Sequence, residues 1–169
     1  FAATIATPVR FKVRSIRVDA VARRLWPHWP SISLMNDTDA HDKKRKIVSV
    51  SKLVPANPEQ IFELLADPQM HCTIDGSGSV VAAKSSAPTR LSLNATFGMS
   101  MKKGAPYKIT NTVVEFAEGK QIAWRHFGGH VWRYILEPTQ GGTMVTEQFS
   151  YGTSKSPIML KLAGFVRKN

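Results

Sequence analysis

Alternation of hydrophobic and polar residues dominates the chain after Lys46. The first alternating segment is Lys46–Val54 (KIVSVSKLV), and six more follow beyond residue 78, separated by turn residues. These six segments are Ser79–Ala83, Ala95–Met101, Tyr107–Phe116, Gln121–Phe127, Val131–Glu137 and Met144–Tyr151. Because a period of two places successive side chains on opposite faces of a sheet, the pattern predicts seven strands.

Two helix-start signals separate the first strand from the other six. In Asn57–Gln60 (NPEQ) the asparagine is an N-cap, the proline suits the first helical turn and the glutamine completes a capping box. Asp67-Pro68 repeats the signal for a second short turn that reaches His71. The predicted order is one strand, two short helices, six antiparallel strands and a C-terminal helix, which is an α+β fold with its helices on one side of the sheet.

The C-terminal helix is predicted to begin at Ser156-Pro157, where serine is an N-cap and proline the first helical residue. A helix that crosses a seven-stranded sheet about 30 Å wide needs about 20 residues. The chain stops at Asn169, so we expect the end of this helix to be missing.

The N-terminal residues have no regular hydrophobic period and include Trp26–Pro30 (WPHWP), which no helix or strand accommodates. Met35 opens a polar run that extends to Arg45. We expect residues 1–45 to be a disordered or non-native extension, with Met35 as a possible true start, and residues 46–169 to form one domain. A transit peptide is the alternative explanation for the arginines in this region.

Charge, the length of apolar runs and cysteine content bear on the partners and the location of the protein. The net charge of +11 is uneven, because residues 1–46 contain ten Lys or Arg against four Asp, whereas residues 47–169 contain thirteen against eight acids. The domain is only mildly basic and has no RNA-binding aromatic motif, so a nucleic-acid partner is not expected. Apolar runs are too short for an integral membrane protein. With Cys72 as the single cysteine, a cytoplasmic location is the default expectation.

A family resemblance rests on this order of elements and on two segments, His71–Gly78 (HCTIDGSG) and Ile122–Tyr134 (IAWRHFGGHVWRY). In these features the chain from about Lys46 onward resembles the polyketide cyclase/dehydrase and lipid-transport branch of the START-like (SRPBCC) superfamily. The resemblance covers about three quarters of the chain. It implies a helix-grip fold, in which a curved seven-stranded antiparallel sheet and a long C-terminal helix enclose a hydrophobic small molecule.

The hairpin around Gly128-Gly129 decides which side chains face this cavity. A two-residue turn would place Arg125 beside Trp132 and mix the faces. A three-residue loop, Gly128–His130, pairs His126 with Trp132 and Trp124 with Tyr134, and the faces then agree. The predicted inner wall consists of Ile122, Trp124, His126, Trp132, Tyr134 and Leu136, with Arg125 and Arg133 on the outer face.

The candidate ligand-binding residues are those six together with Phe97, Met99, Met101, His71 and Asp75. Aromatic and methionine side chains offer adaptable apolar contact to a flat or lipid-like ligand, but they serve equally well as core packing. The candidate catalytic residues are His126, Tyr134 and Glu147, because imidazole, phenol and carboxyl groups can move protons. Core packing for His126 and turn formation for Asp75 are the structural alternatives, and the pattern leaves the face occupied by Glu147 open.

Several kinds of site are excluded by spacing. The histidines and the cysteine do not fall at zinc-ligand intervals, and no phosphate-binding glycine motif or nucleophile elbow is present, so no metal or cofactor is expected. We therefore expect binding or transport of a hydrophobic small molecule, lipid or polyketide-like, by a monomer or weak dimer. The alternatives are a cofactor-free polyketide cyclase or dehydratase, which an acid/base pair in the cavity would favour, and a protein-interaction module, which a filled interior would favour.

Overall fold

The computed structural model of the protein describes residues 38–42, 44–75 and 78–155. The strands are β1 (Thr38–Asp42), β2 (Ile47–Val54), β3 (Val80–Ala83), β4 (Thr96–Lys103), β5 (Ala105–Ala117), β6 (Gln121–His126), β7 (Val131–Thr139) and β8 (Gly142–Ser150). The helices, between β2 and β3, are α1 (Pro58–Ala66), a 3-10 turn (Pro68–Met70) and α2 (His71–Ile74). None of the helices in these ranges is long and apolar enough to cross a bilayer. The predicted C-terminal helix and the predicted N-terminal extension before residue 38 lie outside the described residues.

The strands form one antiparallel sheet in the order β1-β2-β8-β7-β6-β5-β4-β3. All seven predicted strands are confirmed, with bounds within two residues of those expected. The prediction of disorder up to residue 45 is wrong for β1, which makes an eighth strand by pairing Thr38–Asp42 with Ile47–Ser51. Without β1, the backbone N–H and C=O groups of β2 would form an open sheet edge. Backbone pairing satisfies those groups whatever the side chains are, so the polar sequence of β1 does not prevent it.

Helix α1 begins as its sequence predicts. Gln60 Oε1 accepts a hydrogen bond from the backbone N–H of Asn57 at 3.2 Å, which is one half of a capping box. The Asp67 carboxylate accepts from the N–H of Gln69 at 2.8 Å and starts the 3-10 turn that leads into α2. These two local signals place α2 against the sheet.

The hydrophobic core lies between α1 and one face of the sheet, which we call the inner face. Its buried members include Ile61, Phe62, Leu65, Phe97, Met99, Val113, Ile122, Trp124, Tyr134, Leu136 and Val145. A bulge in β5 between Val113 and Glu115 shifts the alternation, so that Val113 and Phe116 both face the core while Glu115 faces outward. The irregular pattern of β5 thus follows from one extra residue.

Candidate functional site

The β6–β7 hairpin has a three-residue loop, but one residue earlier than predicted. The loop is Phe127–Gly129, and the observed pairs are Trp124 with Trp132 and Ile122 with Tyr134. His126 and His130 close it, because the His126 N–H donates to the His130 carbonyl at 2.9 Å. Loops of this length favour a left-handed residue at the third position, and Gly129 adopts φ +90° there. The predicted loop would have put His130 at that position, and its pairing is therefore wrong.

The predicted division into faces nevertheless holds. Moving the loop by one residue shifts each pairing partner by two, and a shift of two returns every side chain to the same face. Trp124 is buried and Trp132 packs against the core cluster, whereas Arg125 is exposed. On the outer face, Arg133 Nε donates to Glu115 at 2.7 Å and its Nη1 donates to Gln148 at 3.1 Å. The structure therefore confirms that the predicted aromatic residues lie on the inner face.

Helix α2 brings His71 into this wall. The imidazole stacks on Trp124 at 4.9 Å between ring centroids and meets the edge of Phe97 at 5.4 Å. Its Nε2 lies 2.9 Å from the carbonyl oxygen of Leu65. Burial lowers the pKa of His71, so the ring is neutral and donates its Nε2 proton to that carbonyl. His71 is therefore packed and hydrogen-bonded as a core residue.

Tyr134 and Glu147 form a buried polar pair on the inner face. The β7–β8 turn contains only Gln140 and Gly141, and this length places Glu147 directly opposite Tyr134. The Tyr134 hydroxyl donates to Glu147 Oε1 at 3.1 Å, and the two residues are 4% and 6% exposed. Burial, followed by the charge of Glu147, raises the pKa of Tyr134 well above its ordinary value. The phenol therefore stays protonated at neutral pH and acts as a hydrogen-bond donor.

Asp75 lies near this pair but is committed to a turn. Its Oδ2 accepts from the N–H groups of Ser79 and Val80, each at 2.8 Å, and this closes the turn into β3. After burial and Glu147, the charge of Asp75 is a further cause of the raised pKa of Tyr134. The turn accounts for the position of Asp75, and its negative charge acts on Tyr134 through space.

A stacked histidine pair lies where β6 ends. The rings of His126 and His130 are 4.3 Å apart and nearly parallel, at 17°. His126 Nδ1 accepts from the Gly128 N–H at 3.1 Å, and His130 packs against Phe149 at 5.3 Å. His130 is buried, and its Nδ1 has no hydrogen-bond partner within the part of the chain that the structure describes. The two histidines are therefore a second pair of polar side chains on the inner face, besides Tyr134 and Glu147.

The sequence-based candidates omitted His130 and Phe149. Glycine's preference for the left-handed position would have ended the loop at Gly129 and placed His130 on the same face as Trp132. Phe149 lies on the same face as Glu147, so the turn length that left the face of Glu147 open in the sequence left that of Phe149 open too; in the structure Thr143, Val145, Glu147 and Phe149 are all buried.

The three candidate catalytic residues do not form one unit. His130, the cross-loop neighbour of His126, precedes Tyr134 by four residues on β7, which corresponds to about 13 Å along a strand. Tyr134 and Glu147 are in contact, and His126 lies away from them toward the sheet end. Among the described residues, no three His, Cys, Asp or Glu side chains cluster as metal ligands would.

The remaining candidate ligand-binding residues lie in the hydrophobic core or pack against it. Phe97, Met99, Ile122 and Leu136 are buried in the core cluster, and Met101 is partly buried against it. Their position fits core packing as well as ligand contact, and a binding role for them stays a prediction.

Acidification is expected to destabilise the protein through its histidines. Burial, together with the charge of His126, lowers the pKa of His130 to about 4, whereas an unfolded chain protonates histidine near 6.5. The unfolded state therefore gains the proton first, and the stability present above pH 6.5 is lost as the pH falls toward 4. In urea unfolding at pH 7 and pH 5, we expect His130→Gln to reduce the acid-induced loss by about 1–2 kcal/mol. An unchanged loss in that variant would show that His130 contributes nothing.

Comparison with known proteins identifies the family of this chain. A family model described as polyketide cyclase / dehydrase and lipid transport matches residues 45–168. Uncharacterized protein Rv0088 of Mycobacterium tuberculosis H37Rv is 35% identical over 130 residues, which cover 72% of this chain and 57% of the relative. The chain thus spans 57% of the length of the curated relatives it matches.

Solved structures show the same fold at low sequence identity. Protein Ms6760 from Mycobacterium smegmatis is similar with a TM-score of 0.62 and 16% identity, covering 77% of this chain and 86% of that one. A protein from Arthrobacter aurescens has a TM-score of 0.60 and 10% identity, covering 75% and 81%. The solved structures show the fold, and the family match over residues 45–168 shows that the chain belongs to the polyketide cyclase / dehydrase and lipid transport family of the START-like (SRPBCC) superfamily.

Proposed function

We propose that the protein binds a hydrophobic small molecule that carries a polar group, over the β6–β8 part of the inner face. The observation that supports this most directly is the Tyr134–Glu147 pair at 3.1 Å, set among aromatic and aliphatic side chains. Burying a carboxyl group has a large free-energy cost, and an apolar pair would serve the core better. A polar group retained at such a position is well suited to orienting a ligand that is otherwise apolar.

The aromatic residues beside the pair supply the apolar part of the site. Trp124 lies 5.4 Å from Tyr134 between ring centroids, and Trp132 lies 4.7 Å from Phe149. Trp132 is only partly buried, so it still has surface to offer to a ligand. Large, stiff rings of this kind bind flat or lipid-like molecules at a low cost in side-chain entropy.

A cyclase or dehydratase is the second candidate, because the inner face holds a phenol and a carboxyl group within hydrogen-bond distance. In that function Glu147 would take a proton from a carbon next to a substrate carbonyl. The raised pKa of Tyr134, caused first by burial, makes the phenol a poor proton shuttle at neutral pH, and His126 lies apart from the pair. We therefore rank carrier or sensor function above catalysis.

The test combines ligand detection with two matched substitutions. Native mass spectrometry of the protein purified from its own host should reveal a co-purifying apolar molecule, and oleic acid and 1-octadecene serve as defined probes with and without a polar group. Glu147→Gln should raise the affinity for oleic acid by about tenfold, because the amide removes a like charge and can donate to the oleate carboxylate; a hydrogen bond to a charged group contributes roughly 1.5–3 kcal/mol. Octadecene binding should not change.

Glu115→Gln is the matched control. It makes the same chemical change in a carboxylate of the same sheet, but on the outer face beside Arg133. The proposal fails if no apolar molecule co-purifies and neither probe binds, or if Glu115→Gln shifts oleic acid affinity as much as Glu147→Gln does. Turnover of a poly-β-ketone chain that disappears in Glu147→Gln would instead establish the enzyme.

A further inference from the structure

Three loops meet at the end of the sheet where β6 ends and β7 begins, which we call the β6–β7 end. In the register of the sheet, Val131 pairs with Ser150 and Ser150 pairs with Ile47, so the strand ends are level. The Lys155 N–H donates to the Gly128 carbonyl at 2.8 Å. The Tyr151 N–H donates to the Lys46 carbonyl at 3.0 Å. These hydrogen bonds join the loops before β2, after β6 and after β8 into one surface.

The β4–β5 hairpin extends past the same end. Asn111 of β5 pairs with His126, the last residue of β6, so Ala105–Thr110 continue beyond it. The hairpin tip and the three joined loops together form a broad end surface.

This surface is strongly cationic. Within the described ranges it carries eight lysines and arginines, all exposed: Lys44, Arg45, Lys46, Lys102, Lys103, Lys108, Arg125 and Lys155. Its acids in those ranges are Asp42, which pairs with Arg45 at 3.6 Å, and Asp75. The opposite end is mixed in charge, with four carboxylates and three cations, namely Glu59, Glu63, Glu118 and Glu137 beside Lys52, Arg90 and Lys120. Positive charge is therefore concentrated at the β6–β7 end, and the molecule would orient in the field of an anionic surface.

An aromatic side chain protrudes from the cationic end. Phe127, the first residue of the β6–β7 loop, is 67% exposed, which is more than any other exposed large hydrophobic residue in the described ranges. Tyr107, near the tip of the β4–β5 hairpin, is 42% exposed. An exposed phenylalanine amid lysines and arginines matches the chemistry of a bilayer interface, where rings enter the headgroup region and cations meet phosphates.

We propose that the β6–β7 end docks on the surface of an anionic phospholipid bilayer, with Phe127 inserted among the headgroups. A single-stranded nucleic acid is the other polyanion to consider, and it binds in a basic groove with a series of stacking rings. Here one exposed ring lies in the β6–β7 loop and the other lies on β5 near the tip of the β4–β5 hairpin, and two separate rings suit a flat surface better than a nucleic-acid strand. The proposal stands on this surface alone and does not depend on a ligand in the inner face.

Co-sedimentation of the whole chain with vesicles tests the proposal. Vesicles of equal parts phosphatidylcholine and phosphatidylserine should bind the protein, phosphatidylcholine alone should bind it weakly, and added salt should release it. Phe127→Ala should weaken binding at least about fivefold because it removes the inserted ring. Lys44→Glu and Lys108→Glu, made singly, should each weaken it about tenfold.

Two control variants match these changes. Lys120→Glu reverses another exposed lysine, in the β5–β6 turn at the opposite end, and Leu93→Ala truncates a residue that is 53% exposed on the β3–β4 loop. Both should alter binding less than about twofold. Every variant retains residues 1–37, so any contribution of those residues cancels in the comparison.

Equal losses in Lys44→Glu and Lys120→Glu, or full binding by Phe127→Ala, would overturn the proposal. So would equal binding to both kinds of vesicle. A single-stranded oligonucleotide that displaces the vesicles and loses affinity in the same variants would reassign the surface to nucleic acid.

Discussion

Trp124→Ala is expected to destabilise the protein by about 3–5 kcal/mol, the range for removing a large buried aromatic side chain. Trp124 is 8% exposed and holds three aromatic contacts together. Its ring centroid lies 4.9 Å from His71, 5.4 Å from Tyr134 and 5.8 Å from Phe97. Alanine would leave a cavity between α2 and the sheet that these neighbours could only partly fill. Urea unfolding monitored by far-UV circular dichroism measures the loss.

Trp132→Ala is the matched change on the paired strand. Trp132 sits directly opposite Trp124 but is only partly buried, so we expect a smaller loss of about 1–2 kcal/mol. In the binding assays described above, this variant should lower the affinity for both apolar probes while the fold persists. Equal destabilisation by the two substitutions would show that the core and the proposed binding surface are not separable.

Gly142→Ala is expected to cost more than about 3 kcal/mol or to prevent folding, since it combines backbone strain with a steric clash. Gly142 opens β8 with φ +143°, a conformation that residues with a Cβ rarely adopt. A Cβ at this position would overlap with the carbonyl oxygen of Val54 and approach Pro55 Cα to 2.7 Å. Both atoms belong to the backbone and cannot rotate away. The midpoint of thermal unfolding provides the measurement.

Gly141→Ala isolates the strain from the clash. Gly141 has φ +98°, but a Cβ there would meet no atom within 4 Å. We expect a loss of about 1–2 kcal/mol, the cost of a left-handed backbone for an alanine. If Gly142→Ala does not fold, its yield of folded protein relative to Gly141→Ala still tests the difference. Similar stabilities for the two variants would contradict the clash.

Turn length explains why the sequence located the candidate site but not its contacts. Ile122, Trp124, Tyr134 and Leu136 were placed on the correct face by alternation, even though the predicted loop was one residue off. The position of Glu147 depends on whether the β7–β8 turn has two residues or three, and a turn one residue longer would turn this side chain outward. The hydrophobic pattern within a strand does not record that length.

The sequence by itself determined the seven strands from β2 to β8, the start of α1 and the division of side chains between the two faces. These features depend on neighbours within a few residues, through side-chain periodicity and helix capping. Only the tertiary structure decided that β1 joins the sheet, that Tyr134 meets Glu147, that His126 stacks on His130, and that cations from four separate segments of the chain share one end. Each of these depends on how segments distant in sequence are aligned with one another. Backbone hydrogen bonding and turn geometry set that alignment, and a local hydrophobic pattern does not encode it.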